Sequence, residues 1–170
     1  MSVSPLVHDL ALYDLINTPG VATDLSHINS CCTVEGYTGP KAIKQVLKGA
    51  DVVLVAAGLP RKPGMTRDDL FLVNAGIAMD LAKACATYCP DACALVITNP
   101  VNSTVPIFSE VYRKMGVLNP KKIMGVTELD TLRACTFIGQ ELNIKEKIGV
   151  IPVVGGHAGK TIIPLFSQLP

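Results

Sequence analysis

The chain of 170 residues is 49% apolar and 17% charged, a balance that places it among compact folded proteins and sets aside intrinsic disorder. A formal net charge of +1, with no basic block, supplies no field to draw in nucleic acid or an anionic membrane. Mean hydropathy is mildly positive, but the longest continuous apolar runs, residues 52–59 and 151–154, fall far short of the roughly 18 residues a bilayer span requires.

The opening residues, MSVSPLVHDL, include an acid, no Arg and no long apolar core, so they show neither a secretory signal nor a transit peptide. An apolar run at residues 10–13 then ends on Asp14. A carboxylate at the tip of such a strand can accept hydrogen bonds from the ribose hydroxyls of a dinucleotide and repel a 2′-phosphate, favouring NAD over NADP. The same acid can simply begin the turn into Asn17-Thr-Pro-Gly. The glycine fingerprint that normally lies about 20 residues upstream has no room, since 13 residues precede Asp14, and no GxGxxG occurs anywhere.

A helix is predicted over residues 40–47 and a strand over 52–57, Val-Val-Leu-Val-Ala-Ala. That run is apolar without alternation, as in strands covered on both faces, so it is expected to lie centrally in its sheet. The loop that follows, GLPRKPGMTR, holds two prolines, two glycines and three cations, and is expected to be exposed and mobile. Arg61 and Arg67 stand on it, six apart. Guanidinium groups in a hinged loop can bind carboxylates bidentately, and two of them suit a dicarboxylate; cations on exposed loops are also ordinary.

A helix over 68–88 precedes a strand over 94–98 and a helix over 101–115. Between these last two, Thr98-Asn99-Pro100-Val101-Asn102 follows the strand and leads into the helix, at the carboxyl edge where open α/β sheets bind ligands, and Asn99 can orient a carbonyl or merely turn the chain into its helix. A strand over 122–125 closes this rhythm, and a domain boundary is placed after residue 126. Alternation of apolar runs and helical patterns throughout predicts an α/β fold with a mainly parallel sheet. The six cysteines include Cys31-Cys32 and the series Cys85, Cys89, Cys93, but no CxxC or histidine pair completes a metal set. Reduced, buried thiols in a reducing compartment are expected, and no metal.

On a helix predicted over 128–142, Asp130 and Arg133 share one face. Asp130 can serve a histidine and Arg133 a carboxylate; alternatively Asp130 completes a capping box with Thr127. His157, in Val-Val-Gly-Gly-His-Ala-Gly-Lys-Thr after a strand over 149–154, is flanked by glycines that admit a ligand close to the backbone. An imidazole there can exchange a proton as an alcohol and a ketone interconvert, whereas His8 and His27 read as structural. Gly159-Lys160-Thr161, read as opening an apolar helix, nearly forms a P-loop, but the position five before Gly159 is Val154 rather than glycine.

Five segments, LYDLINTPGVATDLSHI, AAGLPRKPGMTRDDLFLVNAGI, ITNPVNSTVPI, GVTELDTLRACTFI and IPVVGGHAGKTIIPL, together resemble malate dehydrogenases of the mitochondrial and bacterial type, within the lactate/malate dehydrogenase family. The resemblance runs over essentially the whole chain, in order. It implies a Rossmann-type doubly wound parallel sheet in an NAD-binding domain at residues 1–126, and the start of an α+β substrate domain at 127–170. It also implies that the family's first strand and glycine loop precede the segment seen here and that more of the second domain follows, so the middle of the sheet is expected to be open. Made alone, the polypeptide is expected to fold poorly and turn over malate negligibly.

By the same resemblance, His157 would give and take the proton and Asp130 would hold its tautomer. Arg133 would bind the carboxylate beside the reacting carbon, Arg67 would polarise the ketone oxygen, and Arg61 would bind the distant carboxylate. Lactate dehydrogenases resemble this pattern except for an uncharged residue at the place of Arg61. Asn99 would contact substrate and, with the backbone of Ile97 and Thr98, the nicotinamide end of NAD; Asn74 would also lie along the cofactor, and Asp14 would take the ribose. The implied activity is interconversion of malate and oxaloacetate, and the implied assembly a homodimer or larger, without nucleic acid or membrane partners. A mitochondrial matrix or peroxisome-like organelle is favoured, the cytoplasm remaining open. The alternatives are a noncatalytic remnant acting as an interaction module and, less favoured, a P-loop-like nucleotide binder.

Overall fold

Two parallel sheets frame the first 125 residues in a computed structural model that describes residues 1–60, 62–144, 146 and 148–168. Strand β1 (Asp9–Asp14) pairs in parallel with β2 (Thr33–Thr38), connected by α1 (Thr18–Ser26). Strands β3 (Val52–Val55), β4 (Cys93–Val96) and β5 (Ile123–Gly125) form the second sheet in that order, all parallel. Among the described residues no strand joins β1 to β3. The expected parallel sheet is therefore present in two pieces, linked by the short helix α2 (Ile43–Leu47), which packs on both β1 and the long α3 (Arg67–Tyr88).

Strand β3 corrects the sequence expectation. Among the described residues it lies at the edge of its sheet, facing the opening that the family resemblance places in the middle of that sheet, with Val52 47% and Leu54 44% exposed. The central strand is β4, whose Ala94 and Val96 are buried. A continuous apolar run signals that a strand can be covered on both faces, but it does not say whether both backbone edges find partners.

The core forms where α3 and α4 (Val101–Lys114) pack together beside this sheet. Ala78, Ala82, Cys85, Ala86 and Cys89 offer a face of small side chains on α3 and at its end, and Phe108 and Tyr112 of α4 fill the space against it. Val101, Thr104, Phe108 and Tyr112 recur at helical spacing and are all buried, so one stripe of α4 faces inward. By length and composition α3 is also apolar enough to cross a bilayer, which a search for unbroken apolar runs does not reveal. Its Ala/Cys face is committed to the core, and its outer face carries the exposed Asp80–Lys83 pair.

The remaining chain is α5 (Glu128–Glu141) and a short antiparallel pair, β6 (Val153–Val154) with β7 (Ile163–Pro164). The strand expected over 149–154 thus shrinks to two residues. No helix opens at Thr161: turns lead directly into β7, which removes the helix N-terminus that a P-loop would use to hold phosphate.

Candidate active site

Two chain reversals at the carboxyl ends of β3 and β4 create a cavity of about 440 Å³. Ala56, Ala57 and Gly58 form one wall, and Thr98, Asn99 and Pro100 another. Gly58 has φ +151°, and a Cβ there would approach Thr98 Cγ2 to 3.0 Å and Asn74 Oδ1 to 3.1 Å. The turn is held tightly from beneath, where Gly58 leaves no room for a side chain, while Leu59, Leu70 and Ile97 add apolar surface to the cavity.

Asn74, 1% exposed, organises both walls. Its Oδ1 accepts from the Leu59 amide (2.9 Å), while Nδ2 donates to the Leu59 carbonyl (3.3 Å) and the Asn99 carbonyl (2.7 Å). Its amide therefore ties the arginine loop to the end of β4. Thr98 is likewise committed, its hydroxyl donating to the Ala57 carbonyl at 2.6 Å. The backbone amides of Ile97 and Thr98 both donate to the Val55 carbonyl, so any polar contact of these residues with a ligand must use other atoms. Asn99 is exposed at the cavity rim, beside a cis bond to Pro100.

At the end of β1, Asp14 is exposed, and its Oδ1 accepts the amides of Leu15 (2.6 Å) and Ile16 (3.4 Å). The turn role and the ligand role are compatible, because a carboxylate has about four acceptor positions.

The second cluster joins α5 to the loop after β6. His157 Nδ1 lies 2.6 Å from Asp130 Oδ2, and the two side chains are 21% and 7% exposed. Asp130 is not a capping residue: Thr127 makes no side-chain cap, and the Asp130 amide bonds only to the Thr127 carbonyl. With an ionised carboxylate as acceptor, Nδ1 carries the hydrogen and donates it, leaving Nε2 to exchange a proton. A small cleft of about 50 Å³ adjoins the pair, lined in part by Thr127, Gly155, Gly156 and Ile162.

Arg133 is exposed on α5, one turn beyond Asp130. Arg67 is the first residue of α3, not the last of the loop, and its side chain falls outside the description; Arg61 lies outside the described residues altogether. The described residues hold no metal-binding cluster of His, Cys, Asp and Glu, and the cysteines are free. Asn102 and Thr104 on the first turn of α4 are contributors that the sequence reading does not single out. Thr104, fully buried, donates to the Thr98 carbonyl at 2.7 Å, and Asn102 accepts from the His157 amide at 3.0 Å. Their one visible signal is polarity on the first turn of an otherwise apolar helix face.

Residues 1–125 match the NAD binding domain of lactate/malate dehydrogenase, and residues 127–170 match the alpha/beta C-terminal domain of the same family. The mitochondrial malate dehydrogenase of Pongo abelii is 59% identical over 97% of this chain and 49% of its own. Among solved structures, the apo malate dehydrogenase of Picrophilus torridus superposes with a TM-score of 0.83 at 32% identity, covering 95% of this chain and 51% of its own. The Archaeoglobus fulgidus malate dehydrogenase in complex with NADH gives 0.80 at 29%, covering 97% and 55%. The chain spans about half the length of the curated relatives it matches.

Proposed function

Since the chain belongs to the lactate/malate dehydrogenase family, we propose that it carries the proton-transfer and dicarboxylate-binding machinery of an NAD-dependent malate dehydrogenase. The observation that carries this reading is the Asp130–His157 pair at 2.6 Å, an imidazole whose tautomer is fixed by a nearly buried acid. Oxidation of malate breaks the C2–H bond and removes the hydroxyl proton. NAD supplies the acceptor for the hydride; His157 Nε2 accepts the proton, and Asp130 stabilises the resulting imidazolium. In reduction the proton returns along the same path to the oxygen of oxaloacetate.

Asp14 holds the ribose end of the cofactor, and the cavity between the Ala56–Gly58 turn and Asn99 receives the nicotinamide end. Asn74 acts on that end from below, by fixing the two walls. Arg133 binds the carboxylate next to C2 and Asn99 orients the substrate. Arg67 polarises the carbonyl oxygen, and Arg61 binds the second carboxylate and so selects a dicarboxylate over a monocarboxylate. The working division is a cofactor domain at residues 1–126 and a catalytic domain from 127. The relatives' names, mitochondrial malate dehydrogenases, support a mitochondrial location, and a homodimer or larger is the proposed assembly, to be checked by sedimentation.

Malate-dependent NAD reduction by protein carrying this chain is the test. His157→Ala or Asp130→Asn should lower kcat by roughly three to four orders of magnitude, and Arg61→Gln should shift preference from oxaloacetate toward pyruvate. Turnover that survives loss of the imidazole, or a preference unmoved at Arg61, defeats the corresponding assignment.

A further inference from the structure

Asp130 fixes the ring of His157, but among the described residues no hydrogen bond from α5 holds its backbone. That backbone lies between Gly155-Gly156 and Ala158-Gly159, in the connection from β6 to β7, where glycine leaves the chain free to wander unless it is tethered. Two side chains supply the tether. Thr161 closes the turn internally: its hydroxyl donates to the Gly156 carbonyl at 2.8 Å and its amide to the Ala158 carbonyl at 2.7 Å. Gly155 has φ +90°, and a Cβ on it would lie 1.9 Å from the Thr161 carbonyl oxygen, so the turn closes this tightly only around glycine. The Gly-Lys-Thr sequence that imitates a phosphate loop is thus accounted for, through its threonine, as a turn clasp.

The external tether is Asn102. Its Oδ1 accepts the His157 amide at 3.0 Å across 55 residues of sequence. Its Nδ2 lies where a Cβ on Gly156 would come within 2.9 Å, so the side chain rests directly on the turn. Asn102 belongs to the first turn of α4, a helix anchored in the core, and follows Pro100 at the cavity wall by two residues and Asn99 by three. We infer that Asn102 is a positioning residue, setting the imidazole of His157 at a fixed distance from the cavity at the end of β4 and in line with Asp130. One amide oxygen thereby couples the helix that follows the cofactor wall to the loop that carries the proton.

The activity consequence rests on the function proposed above; the tether itself does not. Asn102 is exposed, so its truncation leaves the core intact. Wild type, Asn102→Ala and Asn102→Asp, each in the full-length protein that carries this chain, are compared by proton NMR and by malate-dependent NAD reduction, with circular dichroism confirming equal folding. Wild type should show a low-field Nδ1–H resonance from the His157–Asp130 pair. Asn102→Ala should broaden or lose it and lower kcat about tenfold with KM nearly unchanged, since small misplacement of a proton carrier costs rate rather than binding. Asn102→Asp retains the acceptor oxygen and should restore the resonance and most of kcat. The inference is overturned if wild type lacks the resonance, if the alanine variant keeps it, if KM changes in place of kcat, or if aspartate fails to rescue. Should the full-length wild type show the resonance yet leave malate untouched, the proposed function fails while the resonance comparison still decides the tether.

Discussion

A single hydroxyl in the core illustrates how far one atom can matter. Among the described residues, Tyr112 Oη is a buried polar atom without a hydrogen-bond partner. The residue is 2% exposed, its ring packing near Phe108 at 6.4 Å between centroids. Burial, and secondarily the neighbouring Cys85 and Cys89, pushes the phenol well above its ordinary value. A folded-state value raised above the unfolded one means that the associated stability is full below about pH 10 and is lost as pH climbs further. Tyr112→Phe keeps the ring and removes the stranded group, so it should raise stability at neutral pH by about 1 kcal/mol. It should also flatten the alkaline fall. Urea midpoints of both forms at neutral pH and near pH 11 measure this; a phenylalanine variant that is clearly weaker at neutrality would mean that the hydroxyl has a partner. Cys85, raised by its hydrogen bond to Cys89 and then by burial, belongs to the same reluctant cluster.

At the scale of elements, α3 starts at a reciprocal cap. The Asp69 amide donates to Thr66 Oγ1 at 3.1 Å, and the Thr66 amide donates to Asp69 Oδ2 at 3.0 Å. Thr66→Ala should cost about 1 kcal/mol, as losses of helix caps generally do. Hydrogen bonds from the Thr66 hydroxyl and then its amide hold the Asp69 carboxyl below its usual range. Stability from a depressed carboxyl is present above the ordinary carboxylate range, near pH 4, and disappears as pH falls through the folded value. The difference between Thr66→Ala and wild type should therefore shrink in acid; a difference independent of pH would show that the acid side of the cap contributes nothing. This cap follows the arginine loop directly, so it also fixes where the loop ends.

The elements legible in the sequence are those whose signal is local. Strands β3, β4 and β5 are unbroken apolar runs, and α4 repeats its buried residues at helical spacing. By contrast, α1 and β2 are absent from the sequence reading. Helix α1 begins Thr-Pro-Gly, which reads as a turn, and β2 is Thr-Val-Glu-Gly-Tyr-Thr, polar enough to pass for a loop. Their explanation is tertiary: a Cβ on Gly36 would fall 2.6 Å from the Thr18 carbonyl oxygen, so glycine is what lets α1 lie on β2. The site divides in the same manner. His157 and Asp130 declare themselves by type and neighbours, yet Asp130 fits a helix cap equally well until the fold brings the imidazole to it. Asn102 shows only its polarity and its place at the end of the Thr98–Asn102 segment; its role does not show, because its partner is a backbone amide 55 residues away.

For the molecule as a whole, the separation of β1–β2 from β3–β4–β5 sets where the backbone is protected. The carbonyls of Asp51 and Val55 accept from the amides of Cys93 and Ile97, so alternate residues of β3 face β4 and the amides of Val52 and Leu54 point to the side where no strand is paired. Both side chains are also nearly half exposed. Strand β4, paired on both edges, has no such face. Hydrogen exchange should therefore be about 100-fold or more faster at Val52 and Leu54 than at the amides of β4, because an open edge exchanges without wider unfolding. Strong protection at those two amides in dilute solution would contradict an open β3 edge, and would require that another part of the chain closes it.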